Sequence, residues 1–140
     1  MKKIIRNFSA LALLAIVFVA FSAMVAPQDQ KQPEPWPVPD EYVNMENPVK
    51  GDAQALKMGG MLYKRHCASC HGRTGLGDGP KARGLETFSG DFSGDYYQNQ
   101  TDGEHYYKTL KGRGEMPGYE NKLSEEDIWS MVSYMRTFKK

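Results

Sequence analysis

The sequence predicts an all-α domain with long loops, and three observations support this prediction. Two stretches carry apolar residues at helical spacing behind a residue that can cap a helix. Glycine-rich segments separate these stretches, and such segments are typical of loops. No stretch alternates apolar and polar residues as a half-buried strand would. The chain has 140 residues, which is enough for one modest hydrophobic core and too few for two.

Residues 1–26, MKKIIRNFSALALLAIVFVAFSAMVA, are typical of an export signal. Three basic residues precede an apolar run from Ala10 to Val25 that only Ser22 interrupts. Ala20 and Ser22 suit cleavage after residue 22, yet the run also approaches the roughly 18–20 apolar residues that span a bilayer. We therefore expect either a cleaved signal peptide or an N-terminal membrane anchor. Both place the rest of the chain outside the cytoplasm, on the periplasmic side of the cytoplasmic membrane.

Residues 27–50 contain six of the eight prolines and few residues that could form a core. This composition predicts a partly extended, semi-rigid linker, which would let a small domain range away from the membrane. Within the linker, Trp36 and Tyr42 are able to pack back onto the folded part. The remaining residues, 51–140, are predicted to form the folded domain.

Three helices are predicted in this domain. The first covers about 53–65, with Asp52 as its cap. Its apolar face contains Ala55, Leu56, Gly59, Leu62 and Tyr63. A second, shorter helix covers about 102–112 and ends at Gly112 or Gly114. The last helix begins after Ser124, which forms a capping box with Asp127. Its apolar face contains Ile128, Met131, Val132, Met135 and Phe138.

The charge balance argues against nucleic acid as a partner. The whole chain has a formal net charge of +1, but three of its 18 basic residues lie within the first six positions. From Pro27 onward, 15 basic residues stand against 17 acidic ones, a net charge of −2. Binding to a phosphate backbone needs a basic surface, and the sequence contains no such stripe.

The two cysteines belong to one short motif, RHCASCHGRTG at residues 65–75. Cys67, Cys70 and His71 stand at i, i+3 and i+4, which places them on one face of a helix. This C-x-x-C-H pattern is the attachment signature of c-type haem, in which both thiols form thioethers and His71 binds the iron. A covalently bound macrocycle also adds apolar core to a domain of about 90 residues, a size that is marginal alone. We expect one haem c per chain.

Other interpretations of the motif explain fewer of its residues. A structural zinc site needs four ligands, and His66 and His105 stand at spacings that fit no zinc finger or ribbon. A thioredoxin-like dithiol needs a βαβ context, which the sequence lacks. A disulfide between Cys67 and Cys70 closes too short a loop to add much stability, and it leaves His71 without a role.

The second axial ligand of the iron has one main candidate and one rival. Met116 lies in GRGEMPGY, where glycines and Pro117 fix an irregular backbone, so its thioether is not needed in a helix interface. His105 is the rival. His66 belongs to the same turn as His71 and cannot cross to the opposite side of the haem. The methionines on helix faces are expected to fill the core instead: Met61, Met131 and Met135.

Residues 52–140 resemble a class I cytochrome c of the small bacterial kind, periplasmic or tethered to the membrane. The resemblance rests on CASCHG at 67–72, GLGDGP at 75–80, MPGY at 116–119 and a closing helix that contains YMRTF. It implies a small cytochrome c-like fold of three to five helices with long loops around one haem. It also implies a crossing of the first and last helices at Gly59, Tyr63 and Tyr134. Pro80 would offer its carbonyl to Nδ1 of His71, which orients the ring.

An iron bound by His71 and Met116 has no open position, so the expected function is to carry one electron at a time between redox proteins. The partners would be a reductase and an oxidase, or other haem or copper proteins, and the membrane if the N-terminal segment stays uncleaved. Two alternatives remain: a haem subunit permanently docked in a respiratory membrane complex, and an open-site enzyme or gas sensor. Six basic residues either ring the haem edge or are ordinary solvated charges: Arg73, Lys81, Arg83, Lys108, Lys111 and Arg113.

Overall fold

The computed structural model describes residues 35–140. These residues form six helices in the order α1 Asp40–Val43, α2 Ala53–His66, α3 Ala68–His71, α4 Asp95–Gln98, α5 Asp102–Lys111 and α6 Glu125–Arg136. A 3-10 turn at Ala82–Gly84 lies between α3 and α4. Within residues 35–140 no strand forms, and the one isolated β-bridge joins Arg113 and Met116. The all-α prediction is therefore confirmed, and α2, α5 and α6 are the three predicted helices.

The three long helices begin at side-chain caps. Asp52 accepts hydrogen bonds from the backbone N–H groups of Gln54 (2.6 Å) and Ala55 (3.1 Å). Ser124 and Asp127 form the predicted capping box of α6. The sequence analysis missed a second box, in which Thr101 and Glu104 cap α5. Each cap satisfies N–H groups that a helix start leaves unpaired, a contribution of about 1 kcal/mol. The beginnings of these helices are therefore specified locally.

The first and last long helices cross in direct backbone contact. A β-carbon at Gly59 in α2 would lie 1.9 Å from the carbonyl oxygen of Ser130 in α6, so the crossing requires glycine. At the next position, Gly60 faces the ring of Tyr134. The rings of Tyr63 and Tyr134 lie 5.5 Å apart. The expected crossing at Gly59, Tyr63 and Tyr134 is confirmed.

The core is rich in aromatic and sulfur-containing side chains. Its buried residues are Leu62, Tyr63, Phe92, Tyr106, Tyr119, Ile128, Trp129, Met131, Val132 and Met135. Four of the five residues predicted on the apolar face of α6 belong to this set. Phe138, the fifth, follows the end of α6 and still packs against Tyr63, with ring centroids 5.2 Å apart. Met131 and Met135 fill the core, as predicted.

Two residues of α2 do not lie where the sequence placed them. Leu56 is 38% exposed and Met61 is 51% exposed, so both predictions of burial are wrong. The buried stripe of α2 keeps the predicted Gly59 and adds Gly60, because α6 packs directly onto the glycine backbone. Leu56 and Met61 line a groove beside that contact.

Residues 35–50, here called the N-terminal strap, pack against α5 and α6. The ring of Tyr42 lies 4.7 Å from that of Tyr107, and Gly103 leaves room for the Tyr42 carbonyl. Asn47 donates hydrogen bonds to Ser133 (2.9 Å) and Asp102 (3.3 Å). Trp36 and Tyr42, the two residues of the predicted linker singled out above, both contact the folded part.

The rest of the linker and the predicted signal peptide or membrane anchor at residues 1–26 lie outside the described residues. Among the helices between Pro35 and Lys140, none is both long and apolar enough to cross a membrane.

Candidate functional site

The C-x-x-C-H motif forms one helical turn directly after α2. Cys67 directly follows α2 as its C-terminal cap, and α3 covers Ala68–His71. The backbone N–H groups of Cys70 (3.1 Å) and His71 (2.9 Å) both donate to the Cys67 carbonyl, which closes the turn. Both cysteines are partly buried free thiols, so no disulfide joins them. The structure brings Cys67, Cys70 and His71 together as the sequence predicted.

The glycine-rich loop folds back over this turn. Gly72 ends α3 with a φ of 81°, a conformation that favours glycine. The loop then donates to the motif backbone at three points, from Gly77 to the His71 carbonyl (2.9 Å), from Gly79 to the Cys70 carbonyl (3.2 Å) and from Lys81 to the Ser69 carbonyl (2.8 Å). Tyr63 adds a buried hydrogen bond from its hydroxyl to the Gly72 carbonyl at 2.8 Å. The motif is therefore held by a loop on one side and the core on the other.

The two thiols have different surroundings. Sγ of Cys67 lies 4.0 Å from Sδ of Met131, at the edge of the core. Burial, together with the neighbouring Cys70, raises the pKa of the Cys67 thiol to about 12. Cys70 lies beside the Ser69 hydroxyl, with 3.8 Å between Sγ and Oγ. Cys67 therefore stays protonated at neutral pH.

His71 has a buried ring nitrogen without a hydrogen bond. Its Nδ1 is buried and has no partner within the described part of the chain. The ring stacks on Phe92, with centroids 4.6 Å apart. Burial lowers the pKa of His71, and the nearby Ser89 backbone partly opposes this shift, although it lies outside hydrogen-bond geometry with Nδ1. The ring is therefore neutral at pH 7, the form that binds a metal. Pro80 is exposed and does not satisfy Nδ1, so its role remains a prediction.

Met116 lies at the end of a closed turn. Two backbone hydrogen bonds join it to Arg113, one from the Arg113 N–H (2.9 Å) and one from the Met116 N–H (3.0 Å). The residue is half-buried and lies in no helix, as predicted. None of the described hydrogen bonds or ring contacts joins Met116 to His71, and its role as axial ligand remains a prediction.

The side chain of His105, the rival ligand, already contacts Tyr97. It is 3% exposed, its Nε2 lies 3.1 Å from the Tyr97 carbonyl oxygen, and its ring stacks on the Tyr97 ring at 3.7 Å. Burial and the positive charges of Arg136 and Lys108 hold its pKa well below the usual range. Binding iron through Nε2 would break the contact with the Tyr97 backbone.

An unforeseen stack of rings connects these two histidines. It runs from His71 through Phe92 and Tyr97 to His105, with Phe92 and Tyr97 4.3 Å apart. Within residues 95–107, Tyr97 belongs to the stack while Tyr96 is 47% exposed. Phe92 gave no helical signal, because it lies in an irregular segment between Gly90 and Gly94.

These residues fit a covalently attached haem. Two free thiols and a neutral imidazole share one turn, and the imidazole carries an unsatisfied buried nitrogen. Within residues 35–140 no group of three or more His, Cys, Asp or Glu side chains is placed to hold a bare metal ion.

A family model described as "Cytochrome C oxidase, cbb3-type, subunit III" matches residues 54–135. The chain belongs to this family. The match covers α2, the motif, the glycine-rich loop, the Met116 turn and nearly all of α6. The chain is therefore a monohaem c-type cytochrome domain, and the haem c of such domains is held covalently.

Two solved structures are similar to this cytochrome. One, described as "KustC0563 c-type cytochrome", is 30% identical over 59% of this chain and 98% of its own chain, with a TM-score of 0.52. The other belongs to the "reducing HAO-like protein complex Kustc0457/Kustc0458" of Kuenenia stuttgartiensis. It is 25% identical over 76% of this chain, with a TM-score of 0.61. This cytochrome spans 52% of the second chain.

Proposed function

We propose that this cytochrome carries single electrons between redox proteins through one haem c held by Cys67, Cys70, His71 and Met116. The observation that supports this most directly is the turn from Cys67 to His71, which holds two free thiols and the imidazole together. When bound, the haem supplies one-electron chemistry at the iron. The chain supplies attachment, axial ligation and an apolar surrounding.

The motif residues have two roles. Cys67 and Cys70 would form the two thioethers, while His71 would present its Nε2 to the iron. A partner at Nδ1 fixes the orientation of a ligating imidazole and raises its basicity. The Pro80 carbonyl remains our candidate for this partner, and the Ser89 backbone is a second candidate because it already lies near the ring.

Met116 is proposed as the sixth ligand. A thioether in this position favours ferrous iron and raises the reduction potential relative to a second histidine. The engagement of His105 with Tyr97 supports this choice. A site closed by two axial side chains has no position for oxygen or peroxide.

The chemistry of an electron carrier implies brief, charge-steered contacts with reductases, oxidases or other haem or copper proteins. Of the six basic residues considered above, three already make contacts inside the molecule. Lys111 pairs with Glu120 (2.7 Å), Lys108 donates to Gln100, and Arg113 donates to the Pro35 carbonyl. The exposed basic residues in the loop after the motif are therefore better placed to meet an acidic partner: Arg73, Lys81 and Arg83. We place the domain on the periplasmic side of the cytoplasmic membrane, anchored or soluble.

Permanent docking in a respiratory complex is the second candidate function. The family description names an oxidase subunit, and this chain exposes apolar side chains along α2. Leu56 and Met61 line a groove of about 480 Å³ that Lys57 and Lys64 flank. Co-purification with an oxidase in mild detergent would favour this function over that of a free shuttle.

The deciding experiment is an absorption spectrum of the haem-loaded protein, oxidised and reduced, with and without carbon monoxide. We expect a near-infrared sulfur-to-ferric charge-transfer band that disappears in Met116→Ala and persists in the matched control Met61→Ala. We also expect no carbon monoxide binding by the parent protein. A missing band or ready binding of carbon monoxide would instead indicate His105 ligation or an open-site enzyme or gas sensor.

A further inference from the structure

One carboxylate ties the Met116 turn to a second loop. Glu115 directly precedes Met116, and its Oε2 accepts three hydrogen bonds from residues that are 28 or 29 positions away in sequence. The donors are the backbone N–H of Glu86 (3.0 Å), the backbone N–H of Thr87 (3.2 Å) and the Thr87 hydroxyl (3.0 Å). We call this set the Glu115 clasp. Hydrogen bonds to a charged acceptor are stronger than neutral ones.

The loop held by the clasp continues to His71. Ser89 follows Thr87 by two residues and its backbone lies close to the His71 ring. Phe92 stacks on the same ring. Residues 86–92 therefore extend from the carboxylate beside Met116 to the imidazole of the motif. This short segment links the neighbourhoods of both proposed axial ligands.

The Met116 turn also has other connections within the described residues, because Tyr119 donates from its N–H to the Leu110 carbonyl (2.9 Å) and from its hydroxyl to the His66 carbonyl (2.9 Å). Its two backbone hydrogen bonds join Arg113 to Met116 and so lie within the turn itself. They close the turn but do not fix it relative to the motif. On the far side, the Arg113 guanidinium lies over the Trp36 ring at 4.5 Å, which ties the turn to the N-terminal strap. The Glu115 clasp is the contact that ties it to the loop leading to His71.

We propose that Glu115 is a positioning residue that keeps Met116 on the iron. The inference rests on the proposed function, because it requires Met116 as an axial ligand. Loss of the clasp releases the turn from residues 86–87 while its internal hydrogen bonds persist. Met116 then leaves the iron more often, and an added ligand competes with it more effectively.

The test is a titration of the ferric, haem-loaded protein with imidazole, followed by loss of the sulfur-to-iron band. In Glu115→Ala we expect imidazole to bind about tenfold more tightly, the change that corresponds to about 1.4 kcal/mol. Thr87→Val removes one of the three donors and should give a smaller increase, while Thr87→Ser keeps the hydroxyl and should behave as the parent. The matched control is Glu86→Ala. The backbone N–H of Glu86 belongs to the clasp, but its side-chain carboxylate accepts none of the clasp's hydrogen bonds.

Several outcomes would overturn the proposal. One is a Glu115→Ala protein with a parental band and parental imidazole affinity. Another is a Glu115→Ala protein with a lower thermal midpoint and unchanged imidazole affinity, which would show that the clasp stabilises the fold without holding Met116 on the iron. An equal effect in Glu86→Ala would assign the change to net charge. Should Glu115→Ala not fold, Glu115→Gln and the two Thr87 variants provide the same comparison. Persistence of the band in Met116→Ala would overturn the ligation itself, a failure distinct from that of the clasp.

Discussion

Gly59 in α2 lies directly against the carbonyl of Ser130 in α6, and a β-carbon at position 59 would stand 1.9 Å from that oxygen. Because α2 runs without interruption into Cys67, this contact fixes the start of the haem-binding motif against the last helix. Met131, the residue after Ser130, reaches Sγ of Cys67 at 4.0 Å. The helix crossing and the position of the first thiol are thus parts of one arrangement.

Gly59→Ala is expected to lower the free energy of unfolding by about 3 kcal/mol, since overpacking against a backbone atom forces the helices apart. The measurement is urea unfolding of the haem-loaded protein. Gly84→Ala is the matched control, because a β-carbon at Gly84 would meet nothing within 4 Å. Equal stability of the two variants would show that α2 and α6 do not cross here in solution.

The sequence predicted those parts of the fold whose signals are local. Asp52 and Ser124 mark helix starts through their own side-chain hydrogen bonds, and the motif places three functional groups on one turn. Leu56 and Met61 were misplaced because their burial depends on how closely a distant helix approaches two glycines. No local pattern shows that Phe92 stacks on His71 or that Glu115 reaches Thr87, since these contacts join irregular segments.

Covalent attachment is expected to depend on both cysteines. The unfolded parent protein should have the mass of the polypeptide plus one haem, and Cys67→Ser with Cys70→Ser should have the mass of the polypeptide alone. Mass spectrometry after acid and organic extraction makes the measurement. Ser69→Ala, a change within the same turn, should retain the haem. A double variant that still carried haem through extraction would contradict thioether attachment at these residues.

Asn47→Ala is expected to lower the free energy of unfolding by about 1 kcal/mol, because it leaves partly buried polar groups without partners. Asn47 donates to Ser133 (2.9 Å) and accepts from the Val49 N–H (3.1 Å). Asn44→Ala serves as the control, since Asn44 is exposed and bonds only its own helical turn, at the Asp40 carbonyl. Similar unfolding curves for both variants would mean that the N-terminal strap adds little to the domain.

Because of His105, the protein is expected to become less stable as the pH falls below 6.5, the ordinary pKa of a histidine. In the folded chain, burial and the charges of Arg136 and Lys108 hold the pKa of His105 well below 6.5. Well above pH 6.5 neither state binds the proton, and the folded protein has its full stability. Below that pH, His105 binds a proton in the unfolded chain but not in the folded chain. This difference lowers the free energy of unfolding by up to about 1.4 kcal/mol per pH unit.

The measurement compares unfolding of the haem-loaded parent with that of His105→Gln between about pH 7.5 and about pH 5, a window that brackets the ordinary histidine pKa. Glutamine does not titrate and can still donate a hydrogen bond to the Tyr97 carbonyl, so the variant should lose the part of the pH dependence that His105 causes. The carboxylates titrate in both proteins, and the difference between the two curves removes their contribution. A difference that stays constant with pH would show that His105 accepts a proton as readily in the folded chain as in the unfolded one. Its ring would then be open to water, and the stack with Tyr97 would not hold at these pH values.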